Sequence, residues 1–316
     1  MHGFVKILFS FLLMLFLIGC NEEDITCSDN DTNRPSAPLE KDDLSMTVRI
    51  DENDTQKYIL PLKPKPGTNY KVNCGNSGDY QYDMSGEYTC HYSSVGVYDI
   101  TVKGDLASMN SQLGPNANKL ILLNQAKEDL ASMNSEIDSN AHKLISLNQW
   151  GKSAWTSLEK AFFNCENMEL LAKDAPNLTK VDNDNDNVPV SYMFYNTKEF
   201  NQNISDWNVS GVTNMTNMFN NSSFNQNISG WNVGSVIIMN NMFQSSEFNQ
   251  NISDWNVGSV TTMVGMFQDS KFDQSISDWN VSSVKHMSKM FQNSKFDQNI
   301  SDWNVSSAIA MNSMFQ

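Results

Sequence analysis

Apolar and polar residues alternate in short runs between residues 46 and 103. Met46-Thr47-Val48-Arg49-Ile50 is one run and Tyr58-Ile59-Leu60-Pro61-Leu62 another. Tyr70-Lys71-Val72-Asn73-Cys74, Glu87-Tyr88-Thr89-Cys90-His91-Tyr92 and Val97-Tyr98-Asp99-Ile100-Thr101-Val102 follow, separated by Gly-, Asn- and Pro-containing turns. A period of two puts alternate side chains on one face, so the spacing predicts short strands and a small all-β sandwich over 46–103. From residue 200 the pattern changes. Phe200, Phe224, Phe248, Phe272 and Phe296 recur every 24 residues. Each opens a copy of Phe-x-Gln-x-Ile-Ser-x-Trp-Asn-Val-x-x-Val/Ala-x-x-Met-x-x-Met-Phe-Gln/Asn. Self-similarity at a fixed period of this length is the signature of a solenoid.

The apolar positions inside a copy predict its elements. Ile252, Trp255 and Val257 follow the L-x-x-L-x-L spacing of a leucine-rich-repeat strand. Val260, Met263, Met266 and Phe267 fall on one face of a short helix. The expected fold is therefore α+β and repetitive: a leucine-rich-repeat-like solenoid with one short strand and one short helix per 24-residue repeat, preceded by the small sandwich. One repeat buries too little apolar surface to offset the entropy of ordering its backbone, so stacked neighbours must complete its core.

Worn copies carry the pattern toward the N-terminus. Trp155, Leu158, Ala161 and Phe162 reproduce the helix spacing, as do Asn187, Val190, Met193 and Phe194, with one extra residue before Phe200. Asp105-Leu106-Ala107-Ser108-Met109-Asn110-Ser111 recurs at 129–135, again 24 residues on. Residues 104–199 thus read as duplicated and divergent N-terminal coils, and 200–316 as the regular array. The sequence stops at Met314-Phe315-Gln316 inside a repeat, without a polar cap. That leaves truncation, an open last coil or pairing with another molecule.

The array, with the lead-in Leu144-Ile145-Ser146-Leu147-Asn148-Gln149-Trp150-Gly151, resembles the BspA-like leucine-rich-repeat surface proteins over roughly 140–316. The resemblance implies a surface protein, with adhesion to host proteins or other cells as the role class. The segment from Gly86-Glu87-Tyr88-Thr89-Cys90 to Val97-Tyr98-Asp99-Ile100-Thr101-Val102 resembles the last strands of PKD-like domains. Where those usually carry Trp-Gly-Asp-Gly, this chain has Cys74-Gly75-Asn76-Ser77-Gly78-Asp79.

The N-terminus reads as an address. Lys6 precedes the uncharged run Ile7 to Ile18, too short for a bilayer span and suited to a signal peptide over 1–19. Leu17-Ile18-Gly19-Cys20 resembles the bacterial lipobox, which implies lipidation of Cys20 and a location in the bacterial cell envelope, anchored to the membrane and exposed at the surface. Residues 20–45 are acidic, contain Pro and Ser and read as a flexible tether. Export permits disulfides, and Cys74 and Cys90 flank a Gly-rich stretch that they could close as a hairpin. Cys27 lies in the tether.

The net charge of −15 repels nucleic acid and no Lys/Arg cluster offers a phosphate footprint. No Ser/His/Asp, Cys/His or paired-carboxylate arrangement stands out, and no zinc-ligand spacing occurs, so neither enzyme activity nor a cofactor is expected. An enzyme acting on envelope polymers is the remote alternative. Asp182-Asn183-Asp184-Asn185-Asp186-Asn187 begins like an EF-hand loop but has Asn187 where Gly belongs and Met193 where Glu belongs, which favours a polar loop over a metal site. Trp207, Trp231, Trp255, Trp279 and Trp303 occupy inward positions and read as core. The outward positions of the expected strand are Asp206, Asn208, Asp254, Asn256, Asp278, Asn280, Asp302 and Asn304, with Gly230 breaking the Asp row. They form the candidate binding face for an unknown surface, host or glycan partner. Self-association into a coat or spacer is the alternative.

Overall fold

A computed structural model describes residues 43–51, 56–76, 80–86, 88–109, 141–178 and 189–316. Strand β1 (Leu44–Ile50) buries Met46, Val48 and Ile50 and leaves Arg49 exposed, as its alternation demands. It pairs antiparallel with β7 (Gly96–Gly104), Leu44 facing Val102 and Ile50 facing Gly96. On the far side of β7 lie β4 (Tyr70–Asn73) and then β5 (Gln81–Met84). On the far side of β1 lie β9 (Leu144–Gln149) and β10 (Glu169–Leu170), which runs parallel to β9. The six-stranded order is β10-β9-β1-β7-β4-β5. Two smaller sheets complete this part: β2 (Lys57–Ile59) with β6 (Thr89–His91), and β3 (Leu62–Pro64) with β8 (Leu106–Met109). The Cys74–Cys90 disulfide ties the end of β4 to β6. Of the duplicated segment, 106–109 forms β8, 144–149 forms β9, and most of the rest lies outside the described residues.

The junction with the repeats is apolar and hydrogen-bonded. Thr156 N–H donates to the Ala107 carbonyl at 2.7 Å, and Ser108 bridges Ser157 in parallel. One continuous core runs from Met46 and Tyr58 through Trp150 and Phe162 to Trp303 and Met314.

The repeats correct the expected fold class. No α-helix occurs among the described residues, and residues 200–316 contain no strand longer than a single bridge. The leucine-rich-repeat-like solenoid with a strand and a helix per repeat is therefore not formed; each repeat is a succession of turns. Where a strand was expected, the chain turns: Trp255 N–H donates to Ile252 O at 3.1 Å and Val260 N–H to Val257 O at 2.9 Å.

Where a helix was expected, the backbone bonds leave the repeat. Met239, Asn241, Phe243 and Ser245 donate their N–H groups to the carbonyls of Thr262, Val264, Met266 and Gln268 in the next copy, at 2.8–3.0 Å. The residues between close three-residue turns, such as Gln244 N–H to Asn241 O at 3.2 Å. Two places per repeat take the left-handed backbone. The first holds Asn217, Asn241, Gly265, Lys289 and Ser313, and the second Asn221, Ser245, Asp269 and Asn293. A left-handed residue every four positions breaks any helix, and Asn and Gly tolerate it best. The apolar spacing of Met-x-x-Met-Phe survives because these turns still aim Met215, Met218 and Phe219 inward, where all three are buried.

Register between copies is held by single parallel bridges joining Asn214, Ile238, Thr262, His286 and Ala310 in succession. Phe219, Phe243, Phe267 and Phe291 stack with ring centroids 5.6–5.8 Å apart. Phe200, Phe224, Phe248, Phe272 and Phe296 form a second column alongside at 5.6–6.3 Å.

Candidate recognition surface of the repeats

The tryptophans belong to the core. Trp207, Trp231, Trp255, Trp279 and Trp303 are buried, and the indole N–H of Trp255 donates to the Ile228 carbonyl of the previous copy at 3.1 Å. The same bond recurs from Trp231, Trp279 and Trp303 at 3.0–3.1 Å. Each of these carbonyls also accepts the backbone N–H of the Trp in its own copy, as Ile228 O does from Trp231 at 3.1 Å, so the indole is its second donor and the buried indole N–H finds an acceptor.

The turns that bury Trp expose their polar neighbours. Asp206, Asp254, Asp278 and Asp302 are exposed, as are Asn208, Asn256, Asn280 and Asn304. They stand on turns, since no strand runs through these positions. Each of these Asn side chains also shapes the backbone. Asn256 Oδ1 accepts the Gly258 N–H, and Asn208, Asn280 and Asn304 accept from Ser210, Ser282 and Ser306, all at 3.2 Å. Asn203, Asn227, Asn251 and Asn299 do the same for the Ser two residues on, at 2.9–3.0 Å. These are Asx turns, which explain why Asn fills such positions. With their carbonyls engaged, the amides keep a fixed orientation beside the Asp row.

A second polar column was not singled out from the sequence. Asn201, Asn225, Asn249 and Asp273 each accept the backbone N–H one repeat later and the following Gln amide, at 2.8–3.2 Å. At Asp273 the acceptor is a carboxylate. Hydrogen bonds from the Gln298 amide and the Asp297 N–H lower its pKa from the usual value. The strict recurrence of Asn/Asp-Gln after each Phe is the signal that reveals this ladder.

The remaining candidates fall elsewhere. Cys20 and the stretch 182–187 lie outside the described residues. Cys74 and Cys90 are joined. Among the described residues, no group of His, Cys, Asp and Glu is arranged to hold a metal ion, and no helix is long and apolar enough to cross a membrane. An open cavity of about 390 Å³ lies away from the repeats, lined by Leu62–Asn69, Ser85 and Gly86.

One family matches, described as "Mycoplasma protein of unknown function, DUF285", over residues 156–270 and 239–316. Together these segments span just over half of the chain. The chain belongs to this family. In coarse terms the match agrees with the resemblance to BspA-like repeat surface proteins, and its first segment begins at Thr156, at the junction with β8. No curated protein and no solved structure matches the chain.

Proposed function

We propose that this is a lipid-anchored surface protein that binds a partner through the exposed Asp and Asn rows of its repeats. The observation that carries the reading is the regularity of those rows: the same exposed carboxylate at Asp254, Asp278 and Asp302, flanked by amides held by Asx turns, recurs in successive copies in register. A ligand that meets one copy weakly gains by meeting several at once. Support for the setting comes from the lipobox-like Leu17-Ile18-Gly19-Cys20 and the acidic tether after it. In this reading the PKD-like part between tether and repeats acts as a spacer.

The test compares whole-cell adhesion to immobilised host-matrix proteins and glycans for a strain carrying the full chain, a deletion strain and an Asp254→Ala/Asp278→Ala/Asp302→Ala strain. Loss of adhesion in both altered strains, at equal surface abundance, is expected. Equal adhesion by all three contradicts the reading.

A further inference from the structure

In the regular copies, the residue after each core Phe is an amide: Asn220, Gln244, Gln268, Gln292 and Gln316. The first left-handed position carries Asn217, Asn241, Gly265, Lys289 or Ser313. Two earlier coils depart from this. Phe163 and Tyr195 take the amide column, and Tyr192 takes the left-handed position with φ 57°. The register is secure because the same inter-coil bonds continue: Phe162 N–H to Met193 O at 3.0 Å and Phe194 N–H to Met218 O at 2.9 Å.

The three rings gather at one corner. Phe163 and Tyr195 stack at 4.8 Å, and Tyr192 lies tilted against both at 6.3 and 5.9 Å. All three are only partly buried, beside a core whose other rings in these coils, Phe162 and Phe194, are fully buried. Polar groups edge the corner. Lys160 Nζ sits 5.7 Å from the Tyr192 ring centre. Asn196 Nδ2 donates to Asn164 Oδ1 at 3.2 Å and to Glu166 Oε1 at 2.8 Å.

The left-handed place itself is shared with Lys160, Lys289 and Ser313 in other copies, so what distinguishes this corner is the gathering of three rings where the regular copies carry polar side chains.

We propose that this corner is a saccharide-binding site for a neutral glycan. Partly exposed rings offer flat apolar surface, two phenol hydroxyls and fixed amides offer donors and acceptors, and a pyranose presents both kinds of surface together. Glu166 lies at the corner and the chain carries a net charge of −15, which disfavours an anionic ligand. The site is separate from the Asp and Asn rows, so either can fail without the other.

The repeats themselves supply variants compatible with the fold: Tyr192→Asn, as in Asn217 and Asn241, and Tyr195→Gln, as in Gln244 and Gln268. The full chain in detergent is titrated calorimetrically with neutral hexasaccharides of glucose, mannose and N-acetylglucosamine. At least one is expected to bind in the millimolar range or tighter. Each variant is expected to weaken it about tenfold, or about 1.4 kcal/mol, while melting no lower than the parent and while Asp254→Ala leaves binding unchanged. The proposal is overturned if none of the three sugars binds at millimolar concentration, or if a bound sugar is indifferent to both variants. It is also overturned if the variants abolish adhesion to a protein while no sugar binds, since the corner is then a protein contact.

Discussion

Replacing Gly265 by Ala separates the observed backbone from the helix that the apolar spacing suggested. In a helix interior, Gly to Ala stabilises by roughly 0.5–1 kcal/mol. Here Gly265 has φ 60°, and an added Cβ overlaps Asn241 Oδ1 and comes to 3.2 Å from Gln268 Oε1. The left-handed backbone alone costs an Ala about 1–2 kcal/mol. Asn241 can swing its amide aside, so the expected loss is about 1–2 kcal/mol, that of the left-handed backbone, or somewhat more. Gly258→Ala is the control. That glycine has no left-handed strain, its added Cβ meets Asn256 Oδ1 at 3.2 Å, and Ser210, Ser282 and Ser306 occupy the same place in other copies. It should cost less than about 0.5 kcal/mol. Urea unfolding followed by tryptophan fluorescence reads both. A Gly265→Ala chain that is as stable as the parent, or more so, refutes the turn geometry.

Three further outcomes follow from named contacts. Trp255→Phe keeps most of the ring but removes the indole N–H that serves the Ile228 carbonyl; that carbonyl keeps the backbone N–H of Trp231, so the loss is one net hydrogen bond, about 0.5–1.5 kcal/mol in the same assay. Because the pKa of Asp273 is lowered on folding, its contribution to stability is present above its unfolded pKa and is lost as pH falls through the folded one. The Asp273→Asn chain should therefore lose less stability than the parent between neutral pH and pH values below the ordinary carboxylate range, measured by urea midpoints; an identical acid limb removes the claim. Replacing both Cys74 and Cys90 by Ser opens a loop with a sequence separation of 16 and should cost about 3 kcal/mol, read as a lowered midpoint that the parent reproduces under reductant.

Much of the β part was legible because alternation is a local signal. Met46, Val48 and Ile50 identify β1 from sequence alone, and Val97 to Val102 identify β7. Strand β5 was missed because Gln81–Met84 alternates over only four residues inside a turn-rich stretch, too short a run to stand out. The pairing of β9 with β1, more than ninety residues apart in sequence, is a tertiary choice that no local pattern encodes. The repeats were legible as a period and misread as elements. Spacing reports which side chains face inward, and it reported this correctly for Met263, Met266 and Phe267. It does not report where the N–H groups point. The signal that would have done so is the recurrence of Asn, Gly and Ser at the two left-handed places, as at Asn241 and Ser245. The exposed Asp and Asn rows were found for a partly wrong reason. They are outward because the turns that bury Trp255 and Val257 expel Asp254 and Asn256 between them. The aromatic corner was invisible until the worn coils were set in register with the regular ones, which puts Tyr195 in the column of Gln244.

The central claim is that each repeat sends its backbone hydrogen bonds to the next copy. Couplings across hydrogen bonds, measured by NMR on isotope-labelled, perdeuterated protein, read the partners directly. The expected pairs are Phe219 N–H with the Met242 carbonyl and Phe243 N–H with the Met266 carbonyl. A coupling from Phe243 N–H to the Met239 carbonyl, four residues earlier as a helix requires, would contradict the account.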